Sequence, residues 1–271
     1  MKGGVLQCAE AITFGMPFEV WKTYMGTYRE VGTIQAFRNV YKMGGIGAFW
    51  KGWQPKMVES FLKGGVLLFS KEAIIRTTKS FGFGDVTSGV LGGFGGGVCQ
   101  VSVMGPCTFL ITASVAASAD GVKMTMMQRI SKTYAEGGIG GFYRGGTALM
   151  LRQGSNWASR QGITDFVRGQ FRSMRNLKDG ERLSIADEAI SGILGGSLST
   201  WNQPFEVMRI EAQAAAARGL PAQNIVQTAS KIVKENGVAG LFQGIIPRMG
   251  LGIAQTVFMV TLPKIMARHG Y

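Results

Sequence analysis

The sequence has little of what most enzyme active sites require. Its 271 residues include one histidine, His269, which argues against a histidine relay or a histidine-ligated metal. The three cysteines, Cys8, Cys99 and Cys107, form no Cys-x-x-Cys pair and lie in apolar stretches, so we interpret them as packing residues. No phosphate-binding loop is present, and the glycine run from Gly89 onward lacks the strand and acidic context of a dinucleotide fold. We therefore expect neither a cofactor, nor a metal, nor an enzyme.

Long apolar runs are also missing. No stretch of 18 or more residues is purely apolar, which excludes a simple single-span anchor. Yet 46% of the residues are hydrophobic and 41 are glycine. Gly89, Gly93 and Gly97 recur at four-residue spacing, as do Gly192 and Gly196, a pattern that lets membrane helices approach closely. This composition favours a helical bundle whose helices face lipid on one side and a polar cavity on the other.

Acidic residues are scarce relative to basic ones. The sequence holds 29 Lys and Arg against 16 Asp and Glu, a net charge of +13. In a soluble protein this excess would indicate nucleic acid, but no helix-turn-helix, zinc spacing or RNA-binding aromatic motif accompanies it. In a membrane protein it fits anionic lipid headgroups or an anionic solute.

One motif comes back along the chain. Pro17, Glu19 and Lys22 have the same spacing as Pro204, Glu206 and Arg209, and a copy without charges begins at Pro106. A glycine-rich block follows each proline after about 30 residues, at residues 44–52, 137–145 and 236–244. The chain is thus three repeats, which we place at residues 1–84, 85–180 and 181–271.

Each repeat is predicted to hold two long helices and one short amphipathic surface helix. This gives an all-α membrane protein of six spans with both termini on one side. The clearest spans are residues 3–25, 55–76, 146–172, 184–214 and 244–268. The remaining span, which is the third along the chain, follows the glycines after Gly89. Surface helices are expected near residues 34–41, 124–135 and 223–235.

These motifs resemble the mitochondrial carrier family, and the likeness covers essentially the whole chain. Further stretches resemble its fungal-type citrate–oxoglutarate branch, at residues 59–69, 151–157, 201–204 and 247–260. The resemblance implies a threefold pseudosymmetric barrel in the inner mitochondrial membrane that alternates between two open states. It implies exchange of citrate for 2-oxoglutarate or related di- and tricarboxylates, with cardiolipin as a lipid partner.

The resemblance also implies a matrix gate. Its members are Pro17, Glu19, Lys22, Pro106, Thr108, Pro204, Glu206, Arg209 and Gln213. By the family's pattern Arg209 should pair with Glu19, Lys22 should face the hydroxyl of Thr108, and Glu206 should face Ile111, which offers no partner. We therefore expect a gate weaker than one of three ion pairs, with Gln213 as a brace below Arg209. The alternative is that these charges merely extend to the membrane surface.

The resemblance also implies a cytoplasmic gate, and its residues are less complete than those of the matrix gate. Asp165 and Arg168 keep the expected acid–base spacing, Glu72 has Arg76 four residues later instead of a base three residues later, and Lys264 stands where an acid is usual. Solvated surface charges are the alternative interpretation.

The implied substrate site joins residues of the three even-numbered spans. Glu59 and Lys63 share a helix face with Leu67, Arg152 precedes Gln153 in the fourth span, and Arg248 begins the sixth. These cations suit a di- or tricarboxylate, because Arg presents a planar fork and Lys a point charge. Glu59 could pair with Lys63, accept a proton or bind a citrate hydroxyl. The alternative is that these cations lie at the membrane surface.

Two other functions stay open from the sequence. The lost charges could mark a carrier-fold structural subunit of a larger inner-membrane complex, although the retained cations in the spans argue for transport. A carrier associated with mitochondrial DNA is the weaker alternative, because basic charge alone gives no sequence-specific contact.

Overall fold

The computed structural model describes residues 8–176 and 183–256, and all regular elements of these two ranges are helical. Eleven α-helices follow one another in the described chain. They are α1 (Met16–Thr27), α2 (Thr33–Lys42), α3 (Trp53–Ser80), α4 (Asp85–Cys99), α5 (Val101–Ala119), α6 (Met126–Gly141), α7 (Gly146–Met174), α8 (Ile185–Leu198), α9 (Gln203–Ala217), α10 (Ile225–Asn236) and α11 (Ile245–Thr256). Eight of them form six long segments, of which the third combines α4 with α5 and the fifth combines α8 with α9.

The odd-numbered segments are interrupted near their prolines. A π-turn over Ala11–Gly15 precedes Pro17, a break at Gln100 precedes Pro106, and a 3₁₀ turn over Ser199–Asn202 precedes Pro204. Proline has no N–H to donate and its ring displaces the preceding turn, so the helix changes its hydrogen-bond pattern there. Each odd-numbered segment is thus interrupted near the proline where a kink was predicted, and in the third segment the break lies six residues before the proline.

The three surface helices are α2, α6 and α10. Capping boxes fix the starts of two of them, at Thr125 with Gln128 and at Asn224 with Gln227. In α2 the side chain of Val40 is buried, whereas Ile34 is exposed. The repeats thus place one short helix between the two long segments.

Each even-numbered segment begins after a left-handed glycine. Gly52, Gly145 and Gly244 have φ of 81°, 71° and 76°. A Cβ on them would lie 3.1 Å from Ile111 Cα, 3.1 Å from Arg209 O and 3.2 Å from Lys22 O, respectively. Glycine therefore satisfies both an unusual backbone angle and a close contact with the next odd-numbered segment.

Glycines also bring the segments themselves together. A Cβ on Gly97 of α4 would lie 2.6 Å from the backbone oxygen of Gln153 in α7, and one on Gly92 would lie 2.5 Å from Ile75 in α3. This confirms the close approach predicted from the glycines for Gly97. A Cβ on Gly89 would meet nothing within 4 Å, so that glycine is not at a helix contact.

By length and composition, one helix of the described residues, Val101–Ala119, is apolar enough to cross a membrane. The bent pair Ile225–Asn236 and Val238–Gln255 passes the same test together, with a bend of 116°. The other long segments carry ionisable side chains among their apolar ones, such as Lys56, Glu59 and Lys63 in α3, and this lowers their hydropathy.

Candidate functional site

A cavity of about 400 Å³ lies between the six segments and contacts all three repeats. Among the residues that the structure describes, seven cationic and four acidic side chains line it, an excess of three positive charges. The cations are Lys22, Lys56, Lys63, Arg152, Arg160, Arg209 and Arg248, and the acids are Glu10, Glu19, Glu59 and Glu206.

The α3 part of the cavity holds a carboxylate between two lysines. Glu59 Oε1 lies 3.8 Å from Lys63 Nζ, as the spacing of four residues predicts, and 3.1 Å from Lys56 Nζ. Its second oxygen, Oε2, has no hydrogen-bond partner among the described residues. Leu67, which is buried, also lines the cavity and packs where Gly96 of α4 leaves room.

In α7, the side chains of Arg152 and Gln153 contact each other and have different partners in other segments. Arg152 Nη1 donates to Gln153 Oε1 (2.5 Å), and Arg152 Nε lies 2.9 Å from Glu206 Oε2 in α9. Gln153 Nε2 donates to Gln100 Oε1 (3.1 Å), which also accepts from Trp157. The break at Gln100 therefore supplies a polar side chain that orients the fourth segment.

Arg248 of α11 is buried among neutral oxygen atoms. Its Nη1 donates to Gln203 Oε1 (2.8 Å), and its Nη2 donates to Asn202 Oδ1 and to Asn156 Oδ1. Within residues 8–176 and 183–256 it has no carboxylate partner. A guanidinium held by neutral groups keeps its full charge for an anion in the cavity.

At the proline end the predicted matrix gate is closed by buried ion pairs. Lys22 Nζ lies 2.7 Å from Glu206 and 2.8 Å from Glu19. Arg209 donates to both oxygens of Glu206, from Nε and from Nη2, each at 2.9 Å. All four side chains are buried, so the alternative of charges extending to the surface is wrong for them.

The pairing differs from the family's pattern. Arg209 was expected to pair with Glu19, but its carboxylate partner is Glu206 on its own helix. Glu206 was expected to lack a partner, but it contacts Lys22, Arg209 and Arg152. The physical reason is that the third segment offers no charge, so the remaining charges converge on Glu206. Glu206 thereby lies at the centre of the predicted gate.

Thr108 was predicted to face Lys22, but its hydroxyl has other partners. Its hydroxyl donates to Met104 O (2.7 Å) and accepts from Gln213 Nε2 (3.1 Å). Gln213 Oε1 in turn accepts from Arg209 Nη1 (2.5 Å). Gln213 thus lies below Arg209 as predicted and links it to the third segment.

The predicted cytoplasmic gate residues are not brought together. Glu72 pairs with Arg76 (2.9 Å) and Asp165 with Arg168 (3.6 Å), each within its own helix and largely exposed. Lys264 and His269 lie outside the described residues. The cavity is therefore closed at the proline end, while these charges at the other end do not meet.

Sequence reasoning missed Lys56, Gln100, Asn202 and Gln203. Lys56 stands three residues before Glu59, a helical spacing that could have indicated the pair. Asn202 and Gln203 directly precede Pro204 in the repeated motif. No spacing along the chain indicates Gln100, whose side-chain hydrogen bonds go to other segments.

Three repeats of paired helical segments around a charged cavity define a membrane transporter of the carrier type. The family model described as "Mitochondrial carrier protein" matches residues 1–81, 84–175 and 181–269. The chain belongs to this family, and it is a multi-pass protein of the inner mitochondrial membrane.

Individual relatives agree with this membership. The chain is 38% identical to the "Citrate/oxoglutarate carrier protein" of Saccharomyces cerevisiae over 95% of its length and 85% of the relative's. It is 26% identical to the mitochondrial "Tricarboxylate transport protein" of Bos taurus, over 92% of its length and 81% of the relative's. It is also 26% identical to "Tricarboxylate transport protein B, mitochondrial" of Danio rerio, over 92% and 78%.

Proposed function

We propose that this carrier exchanges citrate for 2-oxoglutarate or a related di- or tricarboxylate across the inner mitochondrial membrane. The observation that carries the proposal is the excess of three positive charges in the cavity. A trianion balances this excess, and the yeast relative that is 38% identical is named for citrate and oxoglutarate.

The proposed ligands come from all three even-numbered segments. Lys63, Arg152 and Arg248 would bind carboxylates, with Gln153 and Leu67 shaping the site. Glu59 Oε2, which has no partner among the described residues, is an acceptor for the hydroxyl of citrate. That hydroxyl distinguishes citrate from 2-oxoglutarate, so Glu59 would contribute to selectivity rather than to charge balance.

Exchange follows from the cost of closing an empty cavity. Bringing several cations together away from water is unfavourable unless an anion neutralises them. A bound polyanion bridges the segments and therefore binds the closed intermediate more tightly than either open state. Each passage between the open states then requires a bound acid, which couples outward and inward transport.

The test is uptake of labelled citrate into liposomes that contain the purified carrier. Vesicles are preloaded with 2-oxoglutarate, with malate or with buffer alone. We expect rapid uptake only into vesicles preloaded with a transported acid. Equal uptake into empty vesicles would contradict obligatory exchange, and no uptake under any loading by well-folded protein would favour a structural role.

Arg152→Ala and Arg248→Ala should each abolish this uptake, because each removes a cation that the cavity directs at the substrate. Lys132→Ala is the matched control, since Lys132 is an exposed cation of a surface helix. Uptake and membrane insertion are measured for all three variants. Normal kinetics in either arginine variant would remove that residue from the site.

A further inference from the structure

Two cations of the even-numbered segments reach into the gate of the odd-numbered ones. Lys56 Nζ of α3 lies 3.5 Å from Glu19 Oε2, and Arg152 Nε of α7 lies 2.9 Å from Glu206 Oε2. Lys56 is itself buried, with an exposed fraction of 5%. Glu19 and Glu206 are the only carboxylates that the repeated motif contributes to the gate.

The charge composition of the repeats explains why these cations are needed. The first and third repeats each supply one acid and one base to the gate, whereas the second supplies Thr108 and Ile111. Glu206 therefore lacks the base of the third segment, and its side chain is fully buried. Lys22 is shared between Glu206 and Glu19, so a further cation close to these buried carboxylates stabilises the closed state.

We propose that Lys56 is a positioning residue of the matrix gate and that Lys56 and Arg152 together replace the base missing from the third segment. Arg152 then has two roles, as a gate cation in the empty carrier and as a substrate ligand in the loaded one. Lys56 connects the gate to the substrate site, because it shares Glu59 with Lys63.

This arrangement makes the substrate and the closed gate compete for the same cations, a step that depends on the proposed function. A substrate carboxylate that binds Arg152 draws it from Glu206. A second carboxylate that binds Lys63 draws this lysine away from Glu59. Glu59 is then free to bind Lys56 more closely, and Lys56 moves away from Glu19. Both gate carboxylates lose a cation when the acid binds, and the gate opens.

The first test compares Lys56→Met with Lys56→Arg. Vesicles loaded with labelled citrate are diluted into buffer with or without external 2-oxoglutarate. We expect Lys56→Met to raise the efflux without external acid roughly tenfold, because the closed gate loses a cation, while Lys56→Arg stays at the wild-type rate. A merely structural residue would change the total activity but not the ratio of leak to exchange.

A second measurement does not depend on transport. Cys107 directly follows Pro106 and is buried at the level of the gate. In a Cys8→Ser/Cys99→Ser background, its alkylation by a maleimide reports opening of the third segment. We expect faster alkylation in Lys56→Met than in wild type or Lys56→Arg. Wild-type alkylation and wild-type leak in Lys56→Met would overturn the inference, whereas absence of exchange in the wild type would overturn only the proposed function.

Ile111→Lys is the converse variant. The equivalent positions, Lys22 and Arg209, already hold bases opposite Gly244 and Gly145, so the same place opposite Gly52 accommodates one. A lysine there would give Glu206 a cation that no substrate removes. We expect slower exchange, slower Cys107 alkylation and a higher Tm. Unchanged exchange and alkylation in a folded Ile111→Lys carrier would contradict the replacement of missing charges by Lys56 and Arg152.

Discussion

Gln213 shows at the level of one residue how a neutral side chain can serve a charged gate. Its amide oxygen accepts from Arg209 and from Thr112, and its amide nitrogen donates to Thr108. The side chain is fully buried, so no water replaces these bonds readily. One glutamine therefore joins the fifth segment to the third, where the expected ion pairs are absent.

Gln213→Leu should lower the free energy of unfolding by about 1–3 kcal/mol, because it leaves buried donors without acceptors. Thermal unfolding of the purified carrier in detergent measures the change. Gln35→Leu is the control, since Gln35 makes one exposed hydrogen bond to Asn39. Equal melting temperatures for the two variants would show that Gln213 does not brace the closed gate.

The same residues show how far the sequence predicts a site. The Glu59–Lys63 pair was predicted from helical spacing within one segment, and the contact of Gln213 with Arg209 was predicted from the resemblance to the family. The contacts of Glu206 with Lys22 and Arg152 were not predicted. They depend on distances between segments, which the pattern along the chain does not contain.

At the level of elements, the left-handed glycines fix where each even-numbered segment meets its neighbour. Gly145→Ala should destabilise the carrier by about 1–2 kcal/mol from the backbone angle alone. The contact with Arg209 O at 3.1 Å adds to this cost. Gly47→Ala is the control, because Gly47 is not left-handed and its Cβ would meet nothing within 4 Å. A Tm for Gly145→Ala equal to that of Gly47→Ala would contradict the packing role.

A second element-level contact joins the residues that cap the C-terminal ends of α1, α5 and α9. These are Tyr28, Asp120 and Arg218. Tyr28 Oη donates to Asp120 (2.5 Å), and Arg218 Nε donates to the other oxygen of Asp120 (2.8 Å). These hydrogen bonds from Arg218 and Tyr28 lower the pKa of Asp120, while burial and the bond to Asp120 raise the pKa of Tyr28. One cluster thus ties the three repeats together beyond the gate.

The lowered pKa of Asp120 sets the pH dependence of this contact. The stabilisation by its carboxylate is fully present above the ordinary pKa of Asp, about 3.9, and is lost as the pH falls through the lower folded value. We expect Asp120→Asn to lower Tm by a constant amount between about pH 5 and 8, with the difference shrinking below about pH 4. Glu136→Gln, at an exposed pair 3.8 Å from Lys132, should have little effect at any of these values. A difference that grows in acid would contradict the assignment.

At the scale of the whole molecule, the repeats were the strongest sequence signal. They predicted six segments, the interruptions near three prolines and the two surface helices near residues 124–135 and 223–235. Hydropathy alone identifies only Val101–Ala119 among the described residues as a single helix able to cross a membrane. Charged side chains that line the cavity, such as Lys56, Glu59 and Arg152, are among those that weaken the hydropathy signal, so the cavity lining partly obscures the membrane signal.

The excess of positive charge in the cavity should act on substrates from a distance. A trianion experiences the potential of three uncompensated cations more strongly than a dianion does, and salt screens it over a Debye length of about 10 Å at 0.1 M. We therefore expect the KM for citrate to rise with KCl more steeply than the KM for 2-oxoglutarate, in exchange assays at fixed internal substrate. Lys63→Gln should flatten the citrate slope because it removes one cavity charge, whereas Lys132→Gln should leave it unchanged because that lysine lies on an exposed surface helix. Equal slopes for both acids in wild type, or equal slopes for the two variants, would show that the cavity charge does not select the substrate.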